Sequence, residues 1–365
     1  MSFEAQTDNN GEIVQQIETQ MEKCPNCGAN LVFEPNSQTL YCEHCGTSQS
    51  LPEMLTVLEQ NVLDGFDQVK SQWSGDETVV FSCDNCGAKV VLQKDETASS
   101  CPFCGTSHVV KTDELAGIKP HGLIPFSFGL KEGVDYAKKW AKSRLYAPRK
   151  FKKTLSAENV KGVYAPCFTF DSNTFSTYYG RIGKRYTRVV GSGKNRRTET
   201  YIVWRNVSGT FGYSFDDLLI TAGSKFDQKK MDKVSPFDTN NGKSYDESYL
   251  LGFMAYHYDT ELKDCWQQAK NRMDATIRSR ILAQYSYDVV SFLNVSTTHG
   301  NVTYKYVMLP VYIGNYKYGK KLYNFFVNGS TGKTTGKTPV SALKVALTVL
   351  AGLCVIAGIV ALTLL

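Results

Sequence analysis

The feature that most constrains this 365-residue chain is a cysteine pattern written twice. "KCPNCGANLVFEPNSQTLYCEHCGTS" (23–48) and "SCDNCGAKVVLQKDETASSCPFCGTS" (82–107) share the spacing C-x2-C-x14-C-x2-C. The first set is Cys24, Cys27, Cys42 and Cys45; the second is Cys83, Cys86, Cys101 and Cys104, each 59 residues after its counterpart. Two residues between sulfurs let a tight turn present both thiolates to one ion, and the glycines after each pair (Gly28, Gly46, Gly87, Gly105) supply the permissive backbone that such a turn needs. The spacer is long enough for one short hairpin that brings the two pairs together. The expected product is two structural Zn2+ sites, each with four cysteine ligands and therefore no open position for water or substrate.

A lobe of about 25 residues buries too little apolar surface to offset its conformational entropy, whereas structural zinc binding is worth on the order of 10 kcal/mol or more. The metal is then the core of each lobe. Residues 23–50 carry one Lys against two Glu, residues 82–108 carry two Lys against three acids, and four thiolates around Zn2+ add a further formal −2 to each lobe. That balance repels phosphate and favours a protein partner, or each other, for the ribbons. The imbalance extends further: residues 1–120 hold 6 basic and 18 acidic side chains, leaving 35 basic against 17 acidic for the rest.

The opening "MSFEAQTDNN" has no basic segment followed by an apolar one, so nothing there reads as a signal peptide. The far end differs. Val345 to Leu365 contains no charge, and its 21 residues as a helix would reach roughly 32 Å, the thickness of a bilayer's hydrocarbon core. Lys333, Lys337 and Lys344 precede it and no charge follows, which predicts a single pass through the cell membrane with the N-terminal bulk in the cytoplasm and the tail inserted last. Cysteine pairs kept as metal ligands agree with that reducing compartment.

Between the ribbons, Leu51, Leu55, Leu58, Val62, Phe66, Val69 and Trp73 recur three or four apart, predicting an amphipathic linker helix over 51–80; Ile13, Ile17 and Met21 suggest a shorter helix within 1–22. After the second ribbon the composition turns aromatic and basic. Val134, Ala137, Trp140, Ala141 and Leu145 would form the apolar face of a helix over 131–146, and Leu262, Trp266, Ala269, Met273, Ile277 and Ile281 that of a helix near 258–284, started by Asp259 or Thr260. Alternating runs around 162–181, 185–190, 198–211 and 302–333 read as strands. Cys167 and Cys265 read as buried small hydrophobes.

The expected fold class is therefore α+β, with these parts: an N-terminal helical segment (1–22), zinc ribbon 1 (23–50), the linker helix (51–80), zinc ribbon 2 (81–110), an α+β domain with an antiparallel sheet (120–338) and one transmembrane helix (342–365).

Residues 181–205 hold eight cations, Arg181, Lys184, Arg185, Arg188, Lys194, Arg196, Arg197 and Arg205, against Glu199 alone, arranged as a hairpin turning at "GSGKN". With Tyr186, Tyr201 and Trp204 between them they suit an anionic surface: lipid headgroups, nucleic acid, or only solvent. "NGSTGKTTG" ends like a phosphate-binding loop, but Val327 stands where such a loop needs its first glycine, so no nucleotide is expected. The five histidines (His44, His108, His121, His257, His299) are scattered singly, and no nucleophile–base set or carboxylate pair stands in a readable context. No catalytic residues are assigned and no enzyme is expected.

Several stretches together resemble a bacterial family labelled transcription factor IIB-type zinc-ribbon proteins, membrane proteins that also carry a primosomal-helicase label: "CPNCGANL", "CPFCGTSHVV", "IKPHGLIPFSF", "LYAPRKFK", "GVYAPCF", "YLLGFMAYHYD", "MLPVYIGNYKYGKKLYNFFVNGSTGKTTG" and the apolar tail. The resemblance implies two zinc ribbons, an α+β domain and a C-terminal membrane helix, with no established activity. The helicase label has no phosphate-binding loop to support it. Tyr312 departs from the Trp that the family's pattern has after "LPV", a difference of packing. The expected function is a non-enzymatic, membrane-anchored adaptor that binds an unidentified protein partner at the cytosolic surface; the alternative is a membrane-tethered nucleic-acid binder using residues 181–205.

Overall fold

A computed structural model describes residues 23–51, 57–67, 78–83, 85–86, 88–93, 101, 103, 109–112, 118–153, 155, 160–239, 242–318 and 321–364. Strands β1 (Val32–Glu34), β2 (Thr39–Tyr41) and β3 (Ser48–Ser50) form the first ribbon, followed by β4 (Gln60–Asn61) and α1 (Val62–Asp67). The second ribbon holds β5 (Thr78–Cys83), β6 (Lys89–Gln93) and β7 (Val109–Thr112). The body comprises β8 (Gly122–Leu123), α2 (Leu130–Ser143), α3 (Arg149–Lys153), β9 (Val160–Val190), β10 (Arg197–Thr221), α4 (Gln228–Val234), β11 (Lys243–Ser244), β12 (Met254–Tyr256), α5 (Leu262–Ala283), β13 (Val289–Tyr318), β14 (Lys321–Asn328) and β15 (Thr334–Gly336). Helix α6 (Ala342–Leu364) follows.

The fold is mixed α+β with predominantly antiparallel sheets, as the element order predicts. β9 and β13 pair antiparallel from Val289↔Gly183 to Gly314↔Val160, and both are rich in Val, Tyr, Phe and Thr, which fit a pleated surface. β10 lies along the other edge of β9, β14 along β13, and β15 along β14. Two short pairings are parallel: β12 with β9 and β8 with β13.

Side chains alternate across a sheet, and here both faces are covered. Tyr164, Phe168 and Phe170 of β9 and Tyr304, Tyr306, Met308 and Tyr312 of β13 point to one side, where α2, α3, the start of α5 and the first ribbon pack. Val163, Ala165 and Cys167 of β9 and Val307, Leu309, Val311 and Ile313 of β13 point to the other, against α4 and the second ribbon. Double coverage explains why "GVYAPCFTF" and "YVMLPVYIG" are apolar without a break.

Beyond Asp171 the pattern of β9 becomes a clean alternation, buried at Ser172, Thr174, Ser176, Tyr178, Gly180 and Ile182 and exposed between them. Among the described residues only α5 covers this part. It packs Ile277 and Ile281 on Tyr178 and Leu293, leaving Phe175, Tyr179 and Phe292 exposed on the opposite face. The result is an arm extending past the body, three-stranded (β10–β9–β13) as far as Gly183 and two-stranded (β9–β10) from there to the 190–197 turn. The length of β9, 31 residues at about 3.3 Å each, gives an arm and body together up to about 100 Å long.

Several helix readings differ from the structure. The linker helix is confined, among the described residues, to α1; Val57–Asn61 is non-helical and ends in β4, paired with Thr303 and Tyr304. Of the expected stripe, Val62 is buried and Leu51 and Phe66 are partly so, while Leu58 faces solvent ahead of α1, so the spacing does not describe one buried stripe. Residues 1–22, 52–56 and 68–77 of the expected helices lie outside the described residues. α2 ends at Ser143, and Leu145 sits exposed in the following loop because Ala147 precedes Pro148, which disfavours continued helix. On α5, Cys265 is buried beside Leu262, whereas Trp266 is only partly covered. Glu261 is its N-cap residue, because Asp259 is bonded to the Ser224 N–H and hydroxyl and to Tyr256. Cys167 and Cys265 are both fully buried. Tyr312 does more than pack: its hydroxyl donates to the Phe128 carbonyl at 2.6 Å.

Where arm meets body, β10 and β13 each shift register, at Phe215/Leu218 and Gly300/Thr303. A charge cluster fills the break. Lys305, 4% exposed, lies 2.8 Å from Asp217 and 3.5 Å from Glu59. Asp171 accepts from the Asp217 N–H at 2.6 Å, and Thr239 donates to Asp217 at 2.6 Å. Burial and the neighbouring Glu59 carboxyl push Asp171 up to about 7. Lys305, despite its burial, is held above its usual range by Asp217 first and then by Glu59 and Asp171.

Two outcomes follow. Replacing Lys305 with Met strands the carboxylates and costs about 3–5 kcal/mol of stability, read by chemical denaturation. Because Asp171 holds its proton up to about 7 when folded but only to about 4 when unfolded, the native state binds more protons between those values; stability falls as pH rises through that window. Asp171→Asn removes that slope, which parallel melts at pH 4.5, 6 and 7.5 measure.

Candidate metal centre

Each half of the first cage is built by the backbone before any ion is considered. The Cys24 N–H donates to Ala29 O and the Gly28 N–H to Cys24 O, both at 2.8 Å; Cys42 to Thr47 O and Gly46 to Cys42 O repeat the arrangement at 2.9 Å. Gly28 (φ +72°) and Gly46 (φ +77°) occupy the left-handed region these turns demand. The β1–β2 hairpin then sets the two turns against each other.

The four sulfurs lie within 4.8 Å of one another. Cys24 Sγ is 3.4 Å from Cys45 Sγ and Cys27 Sγ 3.5 Å from Cys42 Sγ, far beyond a disulfide bond and near the about 3.8 Å expected for sulfurs set tetrahedrally around an ion at about 2.3 Å. The thiols are unlike one another. The Thr47 hydroxyl and backbone bring Cys45 down to about 6. Cys27, although the backbone at Ala29 favours its thiolate, is pushed up to about 12 by the Cys45 thiol, burial and the Cys42 thiol. A bound cation removes that conflict by taking all four as thiolates.

The second group repeats the geometry as far as it is described. The Cys83 N–H donates to Ala88 O at 2.9 Å, and Cys83, Cys86 and Cys101 converge as metal-ligand candidates, with Cys86 and Cys101 sulfurs 3.6 Å apart. Cys104 lies outside the described residues. Both cysteine groups can hold a metal ion.

Among the described residues the two cages belong to separate apolar clusters on opposite faces of the central sheet. Cys24, Leu31, Phe33, Leu40 and Cys42 join one apolar cluster, and Cys83, Ala88, Cys101 and Phe103 the other. One strip of chain touches both. Phe33 donates its N–H to Leu251 O (3.1 Å) and packs edge-on against Tyr249 (4.9 Å). A few residues on, Ala255 and Tyr256 of β12 pair with Val91 and Val90 of β6, and Phe103 meets the Tyr256 ring at 5.2 Å. Lys225 also donates to the Cys86 carbonyl. No spacing in the sequence marks the 249–256 strip, since its contacts are purely tertiary.

The eight cations of 181–205 do not form one surface. Register puts Arg181 and Arg185 on the face away from α5, and Lys184, Arg188, Arg197 and Arg205 on the face of α5, with Arg196 in the turn. The backbone of Lys194 lies in the same turn, Gly193–Asn195. Glu199 pairs with both Arg188 (3.3 Å) and Arg197 (2.9 Å). Arg181 lies over Trp204 at 5.5 Å, Arg188 over Tyr201 at 5.6 Å and Arg205 over Tyr285 at 5.3 Å. In the 328–333 turn, the Asn328 side chain accepts from the Ser330 and Thr331 N–H groups, the donors a phosphate would have needed.

A cleft of about 440 Å3 opens where α1 and α5 meet β13, lined in part by Trp266, Lys270, Thr297, His299 and Asn301. His299 is 3.0 Å from Asp274, and the Thr297 hydroxyl is tied to Ser176 at 2.9 Å. Helix α6, by contrast, is exposed throughout Ala342–Val360 and long and apolar enough to cross a membrane.

No protein-family model matches the chain, and no solved structure matches it. Among curated proteins it is similar to "Uncharacterized protein YdjG" of Bacillus subtilis (strain 168), 29% identical over 328 residues that cover 89% of this chain and 91% of that protein.

Freshly purified protein is expected to carry two metal ions per chain by elemental analysis. Cys42→Ser should lower the count by one and leave the ion of the second group in place, because the two groups share no ligand.

Proposed function

We propose that the protein is a membrane-anchored adaptor of the zinc-ribbon type, with Zn2+ in both cysteine cages, α6 spanning the membrane and the body in the cytoplasm presenting a β-strand edge to a protein partner. The four-sulfur donor set and its spacing suit zinc and leave no coordination site for chemistry. The family resemblance of the ribbon, body and tail motifs supports the same overall plan, as does α6 with Lys333 and Lys337 ahead of it and Lys344 in its first turn.

The observation that carries the reading is β10. Among the described residues this 25-residue strand pairs with β9 alone, so along Arg197–Phe215 its other edge has no strand neighbour; past the register shift, the Gln228 and Arg272 side chains already bond Thr221 N–H and Leu219 O. Soluble proteins guard such edges with lysine, proline or bulges; β10 contains neither lysine nor proline, and its one register shift lies near its end. An open edge of that length suits an added strand from a partner, bound by main-chain hydrogen bonds, and the cations near the tip favour an acidic one. The test uses a photo-crosslinking residue at Thr200 in intact membranes, with Lys138 on α2 as control. A protein adduct of defined mass at Thr200 but not at Lys138, lost when Ile202→Lys guards the edge, is expected. Adducts that nuclease removes would overturn the reading.

The alternative, a membrane-tethered nucleic-acid binder, draws on the Tyr186–Tyr201 stack (5.9 Å) and the Arg181–Trp204 contact, which resemble platforms for unpaired bases. It requires steeply salt-dependent binding of single strands by the nanodisc-held protein, lost on Arg181→Glu and Arg185→Glu.

A further inference from the structure

Apart from the cations of the hairpin tip, the root of α6 carries a second and differently built cationic surface. The loop between α2 and α3 is hydrogen-bonded to that root: the Ser341 N–H donates to Tyr146 O at 2.9 Å, and Lys344 Nζ donates to Leu145 O at 3.0 Å and Ala147 O at 2.7 Å. The uncharged run begins at Val345, the residue after Lys344, so this loop lies within one helical turn of where the hydrocarbon boundary falls.

The composition of the loop fits that level. Residues 142–153, "KSRLYAPRKFKK", contain six cations and no acid. Arg144, Arg149 and Lys150 are exposed, and Arg144 is steadied over the Trp140 ring at 5.2 Å. Between them Leu145 is 67% exposed and Tyr146 is also exposed, beside Leu343, 70% exposed, on α6. A leucine and a tyrosine displayed beside the start of an apolar helix are well placed at an interface, where a tyrosine ring sits at headgroup level and cations meet lipid phosphates.

We propose that the α2–α3 loop is a lipid-binding collar: Arg144, Arg149 and Lys150 bind the phosphates of anionic phospholipid headgroups while Leu145 and Tyr146 enter the interface, fixing the body against the membrane at the root of α6. The proposal rests on α6 being a membrane span. It also gives the hairpin tip no lipid role, since Gly336, close before α6, connects through β14 and β13 to the Val160 end of β9, the end opposite the tip.

The test is hydrogen exchange of the 142–153 peptide in the full-length protein held in nanodiscs of phosphatidylcholine alone or with phosphatidylglycerol added. The expected result is exchange about tenfold slower in the anionic discs, reversed by high salt and abolished by the triple change Arg144→Gln, Arg149→Gln, Lys150→Gln, with metal content unchanged as the control for folding. Equal exchange in the two discs, or equal protection by a short single-stranded RNA in the neutral discs, overturns the collar and leaves α6 untouched. Failure of the protein to enter discs, with release from membranes by carbonate, overturns the span and the collar together.

Discussion

The ladder between β9 and β13 is the constraint on which the other parts depend. Each strand supplies one row of aromatic side chains to one face and one row of branched and small side chains to the other, and each row needs its own cover. Helices cover part of both faces, and the ribbons cover the rest. The ribbons are accordingly attached on either side of the sheet, through Phe33 on one face and Phe103 on the other, rather than standing off it as separate lobes. Acidic ribbons meet a basic body, yet the contacts described between them are chiefly apolar and main-chain; the Glu59–Lys305 pair comes from the stretch between the ribbons and serves the register break.

The metal and the sheet divide the work. A cysteine cage fixes the shape of a short lobe whose own apolar set, Leu31, Phe33 and Leu40 in the first, is too small to hold it. Once shaped, the lobe presents that set to the body. Local order from the ion and global order from the sheet therefore meet at the same few side chains, and the 249–256 strip joins the two results by touching one cage with its first residues and the other with its last.

Much of this was legible in the residues and some was not, for physical reasons. Thiolate geometry depends on near neighbours in sequence, so spacing alone located the cages. α5 kept a 3.6-residue period because one of its faces is buried along its whole length, and the hairpin turn showed because glycines are needed there. The linker stretch misled: a leucine at helical spacing is buried only if the helix runs through it, and Leu58 lies in the non-helical stretch before α1 and faces solvent. Leu145 misled in the same way, its exposure having a local cause in Pro148 and a possible use only at a surface that sequence periodicity does not describe. The arm was invisible because alternation along β9 says which side chains share a face and nothing about where the body stops. Parallel contacts such as β12 on β9 join residues about ninety apart and leave no local trace.

The pairing order also sets a timetable for synthesis. β10 follows β9 after a six-residue turn and can zip onto it at once, whereas β13 begins 99 residues after β9 ends. Until then the edge of β9 that β13 will take is unpaired along with the outer edge of β10, and the ribosome-bound chain carries a two-stranded sheet with a row of bare tyrosines and phenylalanines. A nascent chain in that state is a target for chaperones that shield extended apolar segments, and any fragment that stops short of Val289 would keep the exposure permanently.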